Sequence, residues 1–150
     1  MYADNEHKFV AILNKKIPLP TLFNALGHMA AGIGATATGT ADSAKTANAM
    51  EFLQYKDADG GLHPQISKHP FIILAAKNGN QLRHFRQQLQ EQGLPFTDFT
   101  HTMLGSSAAE QLEKTRACPE ADLEYYGICT FGAAEGLDVL TKKFSLFSVR

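Results

Sequence analysis

The chain has 150 residues, of which 44% are hydrophobic and 19% are charged, which is enough apolar material for one domain with one core. Its net charge of −1 argues against a protein that is held to nucleic acid mainly by phosphate contacts. Two cysteines, Cys118 and Cys129, are too few for a disulfide framework. Their small or apolar neighbours predict buried free thiols.

The amino terminus lacks the basic and apolar regions of a secretory signal, and no run approaches about 18 consecutive apolar residues. We therefore predict a soluble cytoplasmic protein that does not enter a membrane. No repeat, charge block or linker composition divides the sequence, so residues 1–150 are predicted to form a single domain.

The first predicted elements are a strand and a helix. Residues 8–14 are a short run of strand formers, which predicts a buried strand. Pro20 suits the first turn of a helix, and the pattern is helical from Thr21 onwards. The residues expected to face the core recur at spacings of four, three and four: Leu22, Leu26, Met29 and Ile33. The small residues that follow predict an irregular segment with a short helix starting near Asp42.

Strands and helices continue to alternate along the rest of the chain. Residues 51–55 are a weaker strand candidate, and the sequence "DADGG" after them predicts a turn. Core strands are expected at residues 70–77, 94–100 and 123–132. A helix is expected after each of these strands. The first covers residues 80–93, the second begins at Ser107, and the third covers residues 133–143. Glu110 is the expected capping-box partner of Ser107. This order predicts an α/β sandwich of one sheet with helices on its faces, followed by an apolar tail.

The first candidate site lies on the helix that begins near Thr21. At about 100° per residue, His28 falls well away from the core stripe. Asn24 precedes it by one turn, so the two side chains can touch. Gly27 and Ala31 lie beside them and are too small to cover them. This pattern predicts a shallow, accessible polar notch, although a surface histidine that is hydrogen-bonded by Asn24 would show the same spacing.

Other ligand patterns are weaker. Gly34 and Gly39 have the spacing of a phosphate-binding loop, but no lysine follows them and a helix precedes them. The six histidines show no ligand-pair spacing with cysteine, so we expect no metal site and no cofactor.

The second candidate site follows the strand predicted at residues 94–100. His101 could act as a general base or as a hydrogen-bond donor near neutral pH. Thr100 and Thr102 offer hydroxyl groups beside it. Strand ends followed by loops are where α/β sheets commonly place ligand-binding groups. A polar loop without a ligand explains the same residues equally well.

Three segments together resemble a family of uncharacterised proteins, domain of unknown function 2000. These segments are "KFVAILNKKIPLPTLFNALGHMAAGIGA", "PFIILAA…GLPFTDFTHTM" and "YYGICTFGAAEGLDVLTKKFSLF". The resemblance covers nearly the whole chain, and that family is similar in fold to type II peptidyl-tRNA hydrolases. It therefore implies a single three-layer domain with a four-stranded mixed sheet flanked by helices.

The resemblance to the hydrolases also bears on individual residues. His28 matches the histidine of their helix, and Asn24 lies one position from the place of their glutamine. The region of their basic segment contains only Lys15 and Lys16. Their acid-bearing turn is replaced here by residues 101–103, and the nearest acid, Asp98, lies back in the strand.

We therefore expect a small-molecule-binding or enzymatic domain, with hydrolysis as the reaction if there is one. The candidate catalytic residues are His28, His101 and Lys16, and the candidate ligand-binding residues are Asn14, Asn24, Thr100 and Thr102. One alternative is a diverged peptidyl-tRNA hydrolase, although the charge balance disfavours tRNA binding without ruling it out. The other is a non-catalytic interaction module that forms a homodimer through the small-residue face of the first helix.

Overall fold

A computed structural model of the chain describes residues 6–38 and 48–149. The short helix predicted near Asp42 lies outside these ranges. The described strands are β1 (His7–Asn14), β2 (Phe52–Lys56), β3 (Leu62–Ser67), β4 (Phe71–Ala76), β5 (Phe96–Thr100), β6 (Tyr125–Ala133) and β7 (Ser145–Leu146). The described α-helices are α1 (Leu19–Ala35), α2 (Gly79–Glu91), α3 (Ala108–Ala117) and α4 (Ala134–Thr141), with short 3-10 turns at Thr36–Thr38, His101–Met103 and Glu120–Asp122.

Within the described residues, the main sheet has five strands in the order β5-β6-β1-β4-β7. β1 and β4 run parallel, whereas the other neighbours run antiparallel, so the sheet is mixed as expected. The predicted number of four strands was wrong. The apolar tail supplies the fifth strand, because Ser145 and Leu146 pair with the open edge of β4. Two residues are too few to show a strand periodicity in the sequence.

The sheet is covered on both faces, and β1 shows why its sequence is uniformly apolar. Phe9, Ala11 and Leu13 point to one face, where they pack in the cluster that contains the buried side of α1. Val10 and Ile12 point to the other face, where their cluster includes residues of α2 and α4. A strand that is buried on both faces loses the alternation of polar and apolar residues. The result is a mixed α/β domain in three layers.

Helix α1 buries Leu22, Ala25, Met29 and Ile33 against the sheet. Leu26, which the spacing placed in the core stripe, is only half-buried. Pro20 lies in the first turn of the helix, where its missing N–H would have no partner in any case. In the described part of the chain, no helix combines the length and hydrophobicity required to cross a membrane.

A separate hairpin, β2–β3, follows the undescribed residues 39–47. Its turn forms at the predicted "DADGG" sequence, where the Asp57 carboxylate accepts hydrogen bonds from the backbone N–H groups of Asp59 and Gly61, both at 2.9 Å. Gly60 has φ of +84°, a left-handed conformation that favours glycine. Strand β3 was not predicted, because Pro64 within it argues against a strand.

The two cysteines differ in environment. Cys129 lies in β6 and is fully buried, and this burial raises the pKa of its thiol to about 12. Cys118 was also predicted to be buried, but it is only half-buried. It ends helix α3, where its thiol donates a hydrogen bond to the Pro119 carbonyl at 3.5 Å.

We expect thiol reagents to label Cys118 in the native protein and to leave Cys129 unmodified, since the reactive thiolate is disfavoured by burial. The rate of colour release from a disulfide reagent at mildly alkaline pH measures this. A Cys118→Ser variant serves as the control and should react only after denaturant is added. Rapid labelling of that variant in its folded state would contradict the assignment.

Candidate functional site

A shallow cavity of about 390 Å³ lies on the exposed face of α1. Its lining residues are Phe23, Asn24, Gly27, His28 and Ala31. Gly27 and Ala31 form a floor because they carry little or no side chain. Phe23 is 61% exposed although it is a large apolar residue. The notch that the helical spacing predicted around Asn24 and His28 is therefore a groove with an aromatic wall.

A second cavity of about 290 Å³ opens on the other side of His28, between α1, β5 and α3. Its lining residues are His28, Met29, Thr97, Asp98, Phe99, Met103 and Gln111. His28 therefore belongs to the walls of both cavities. Its ring stacks against Phe99, with 5.9 Å between the ring centroids. In the described part of the chain, neither His28 nor Asn24 makes a side-chain hydrogen bond, so both remain able to contact a ligand.

Close packing of α1 on β5 creates this second cavity. The Thr97 hydroxyl donates a hydrogen bond to the Met29 carbonyl at 2.8 Å. Gly32 lies so close to the strand that a Cβ atom there would be 3.2 Å from the Thr97 Cγ2 atom. These two contacts bring the helix backbone down to the strand and hold His28 beside the edge of the sheet.

The Asp98 carboxylate does not orient His28. It accepts a hydrogen bond from Arg86 Nε at 2.7 Å, on the face of the sheet opposite to α1. Burial lowers the pKa of Arg86, but the hydrogen bond and charge of Asp98 outweigh this effect and raise the pKa overall. The carboxylate is thus neutralised by a partner of its own, and His28 has no acidic partner among the described residues.

A third cavity, of about 510 Å³, lies around the second predicted site. It is lined by His101, Thr102, Lys114, Ala117, Cys118 and Pro119. The Glu124 N–H donates to His101 Nδ1 at 3.0 Å, so the neutral ring carries its proton on Nε2. Lys114 forms an ion pair with Glu110 at 2.6 Å. The hydrogen bond from Lys114, together with those from Ser106, lowers the pKa of Glu110 to about 2.

The structure therefore separates residues that the sequence grouped into one site. His101 lines a cavity that shares no residue with either cavity at His28. Thr100 and Thr102 are buried, and their hydroxyls form a chain of 2.8 Å hydrogen bonds that runs through the Thr115 hydroxyl of α3 to the Gln111 carbonyl. These hydroxyls fasten the 3-10 turn to the helix, and their predicted ligand contacts stay predictions.

Asn14 and Lys16 also lie apart from the cavities at His28. Asn14 is buried at the end of β1, where its amide donates to the Tyr125 carbonyl at 3.1 Å and accepts from the Lys16 N–H at 3.0 Å. The Lys16 side chain is exposed and lines none of the three cavities. Among the predicted site residues, the structure places Asn24 and His28 in one cavity and His101 and Thr102 in another.

Several cavity residues were not predicted as part of a site: Phe23, Asp98, Phe99, Met103 and Gln111. One local signal was available, because Phe23 is a large apolar residue outside the core stripe of α1. The others come from β5, the turn after it and α3, so they join His28 only through the tertiary fold. Within residues 6–38 and 48–149, no three side chains of His, Cys, Asp or Glu lie close enough to hold a metal ion.

The fold and these cavities define a mixed α/β protein with an exposed helical histidine between two cavities. The chain belongs to the family described as "Protein of unknown function (DUF2000)", whose sequence model matches residues 7–148. The solved structure of a protein of unknown function from Agrobacterium tumefaciens strain C58 is similar, with a TM-score of 0.74 and 19% identity over 99% of this chain and 100% of that chain. At this identity the similarity concerns the fold alone. None of the curated proteins compared with the chain matches it.

Proposed function

We propose that the protein binds a small organic ligand in the two cavities that meet at His28. The observation that carries this proposal is the position of His28 in the walls of both cavities, with no hydrogen bond to its ring within the described residues. Small-molecule sites typically occupy about 300–1,000 Å³ and combine apolar walls with a few polar groups. The first cavity, at about 390 Å³, lies within this range, the second, at about 290 Å³, lies at its lower limit, and both have this composition.

The lining residues indicate the chemistry of the ligand. Phe23 on one side of His28 and Phe99 and Met103 on the other favour a planar apolar group. Hydrogen-bonding capacity comes from Asn24 and His28. Among the described residues, Asp98 is the only Asp, Glu, Lys or Arg that lines these two cavities, and it is paired with Arg86. A neutral ligand with an aromatic ring and an amide or carbonyl group fits these walls.

Binding is better supported than catalysis. A histidine that acts as a general base is usually oriented by a third group, such as a carboxylate on its other nitrogen. His28 has no such partner in the described part of the chain. The nearby Asp98 is held by Arg86. His28 is therefore proposed as a ligand contact. For His28 to transfer a proton, a bound substrate would have to supply the group that orients its ring.

A diverged peptidyl-tRNA hydrolase is the second candidate. A mixed sheet between helices supports this candidate, although the sheet has five strands where the resemblance implied four. His28 is exposed on its helix, as hydrolysis would require. Incubation of purified protein with N-acetylaminoacyl-tRNA tests this candidate. Release of the N-acetylamino acid by the wild type but not by His28→Ala would establish it, and intact substrate would exclude it.

A homodimeric interaction module is supported only by the apolar surface of α1. Phe23 is 61% exposed. The small residues Gly27 and Ala31 beside it would allow a second helix to approach closely. Light scattering of the wild type and of Ala31→Trp separates this candidate from ligand binding. A dimer that dissociates in the variant would favour it, and a monomeric wild type would exclude it.

We expect benzamide, a neutral aromatic amide, to raise the melting temperature of the wild type and not that of His28→Ala. His28 is exposed, and alanine is a good helix former, so the substitution should leave the unliganded stability nearly unchanged. Thermal denaturation across a benzamide titration measures both effects. Equal stabilisation of the wild type and the variant would place the ligand elsewhere.

Two glycines of α1 offer a matched control for this experiment. A Cβ atom at Gly27 or at Gly34 meets no other heavy atom within 4 Å, but only Gly27 lines the groove. Replacement by alanine should stabilise the helix by roughly 1 kcal/mol in either case. Gly27→Ala should also weaken benzamide binding because it fills the groove, whereas Gly34→Ala should not.

A further inference from the structure

The edge of the sheet at β5 presents backbone hydrogen-bonding groups to the cavity at His28. Their direction follows from the strand register, beginning at β1. The Phe9 N–H donates to the Pro70 carbonyl and the Lys15 N–H to the Ala76 carbonyl, so the odd-numbered residues of β1 face β4. Because successive residues of a strand direct their backbone groups to opposite sides, the even-numbered residues of β1 face β6.

The same alternation continues through β6 to β5. Val10 and Ile12 pair with Thr130 and Ile128, so these two residues of β6 direct their backbone groups to β1. Cys129 of β6, which lies between them, therefore faces β5. The same holds for Gly127.

The partners of these two residues in β5 are Thr97 and Phe99, which consequently face β6. Asp98 lies between them, and its N–H and C=O point away from the sheet. The contact of the Thr100 N–H with the Met103 sulfur, at 3.4 Å, agrees with this assignment, because Thr100 also points outward. No described residue pairs with the outward groups of Asp98.

These outward groups open into the second cavity, which is lined by three consecutive residues of the strand, 97–99. His28 and Met29 form one wall beside the strand, and Met103 and Gln111 form another. The Gln111 side-chain N–H donates to the Gly105 carbonyl at 3.3 Å, which leaves its oxygen as an acceptor for a ligand. The cavity thus offers one backbone donor, one backbone acceptor and one side-chain acceptor beside apolar walls.

We propose that the ligand of this site is a short extended peptide segment that pairs with the outward N–H and C=O of Asp98, an inference that rests on the proposed function. A residue of an extended peptide presents one donor and one acceptor on the same side, which matches Asp98. A long strand from a second copy of the chain fits less well. The Met103 side chain caps the edge at Thr100, and the open part of β5 spans only a few residues.

The probe for this proposal is N-acetyl-alanyl-phenylalanyl-alanine N-methylamide, whose aromatic side chain suits the apolar walls. Titration into the full-length protein, followed by amide proton–nitrogen NMR spectra, should shift the Asp98 amide signal and slow its hydrogen exchange. The amides of Thr97 and Phe99 should already exchange slowly without peptide, because they pair with β6. The same peptide methylated on its three residue nitrogens should not bind, because it has lost these donors.

Two substitutions at one position isolate the outward N–H. Asp98→Ala and Asp98→Pro both remove the carboxylate, but only proline removes the N–H. Proline is tolerated on an edge strand where the N–H points away from the ladder. Asp98→Ala should retain peptide binding within about twofold, and Asp98→Pro should bind about fivefold more weakly or worse.

An Asp98 amide that is unchanged at millimolar peptide overturns the proposal, whether or not Asp98→Pro folds. So does equal binding of the methylated peptide. The benzamide experiment on His28→Ala is independent of these results. Benzamide binding that requires His28, without a response of the Asp98 amide to peptide, would leave the proposed function standing and refute edge pairing alone.

Discussion

Replacement of Gly127 by valine is expected to destabilise the protein by about 3 kcal/mol, because β6 has no room for a side chain at this position. A Cβ atom on Gly127 would lie 2.7 Å from Met29 Cε, 3.0 Å from Leu13 Cδ2 and 3.3 Å from the Ile12 carbonyl oxygen. The Met29 side chain could move, but the Ile12 oxygen belongs to the neighbouring strand β1. Urea denaturation measures the loss as a lower midpoint at unchanged slope.

Gly136 in α4 is the matched control, since a Cβ atom there meets no other heavy atom within 4 Å. Gly136→Ala should stabilise the protein by about 0.5–1 kcal/mol, because alanine loses less backbone entropy in a helix. A Gly127→Val variant as stable as the wild type would show that α1 does not pack on β6 as described.

The same substitution bears on the candidate site. Met29 is the residue that Gly127 accommodates, and its carbonyl accepts the Thr97 hydroxyl that holds α1 to β5. A displaced Met29 would move the part of α1 that forms one wall of the second cavity. The absence of a side chain in the middle of β6 therefore determines how closely His28 approaches the sheet edge.

The sequence predicted those elements whose pattern is local and long enough to read. β1 and α1 are examples, since one is an uninterrupted apolar run and the other repeats its core residues with a helical period. β7 was missed because a two-residue strand has no period. Its position depends on pairing with β4 and on the Phe147 N–H, which donates to the Ile73 carbonyl at 3.0 Å.

The same distinction applies to the candidate site. Asn24 and His28 could be placed on one face because four residues of helix fix their relation. Asp98 and Gln111 join them only after β5 and α3 dock, and no spacing in the sequence records that. The roles of Thr100 and Thr102 were equally unreadable. The Thr100 hydroxyl is hydrogen-bonded to that of Thr102, and the Thr102 hydroxyl to that of Thr115, more than ten residues further along the chain.

Replacement of Asn14 by alanine is expected to destabilise the protein by about 2–3 kcal/mol, although the sequence suggested a ligand-binding role for this residue. Its side chain is 2% exposed and bridges two strands and a loop. The amide N–H donates to the Tyr125 carbonyl at 3.1 Å, and the amide oxygen accepts from the Lys16 N–H at 3.0 Å. Alanine would leave both backbone groups without this partner, and the Tyr125 carbonyl is buried. Chemical denaturation gives the change in free energy.

Asn24→Ala is the control, because Asn24 is exposed on α1 and its side chain makes no hydrogen bond within the described residues. Its stability should equal or slightly exceed that of the wild type, since alanine has the higher helix propensity. Its affinity for benzamide should fall, whereas Asn14→Ala, at a temperature where it is folded, should retain that affinity. The opposite pattern would assign ligand binding to Asn14 and a structural role to Asn24. The two asparagines, ten residues apart, thus separate stability from binding, because one amide is used inside the fold and the other is left free at the cavity.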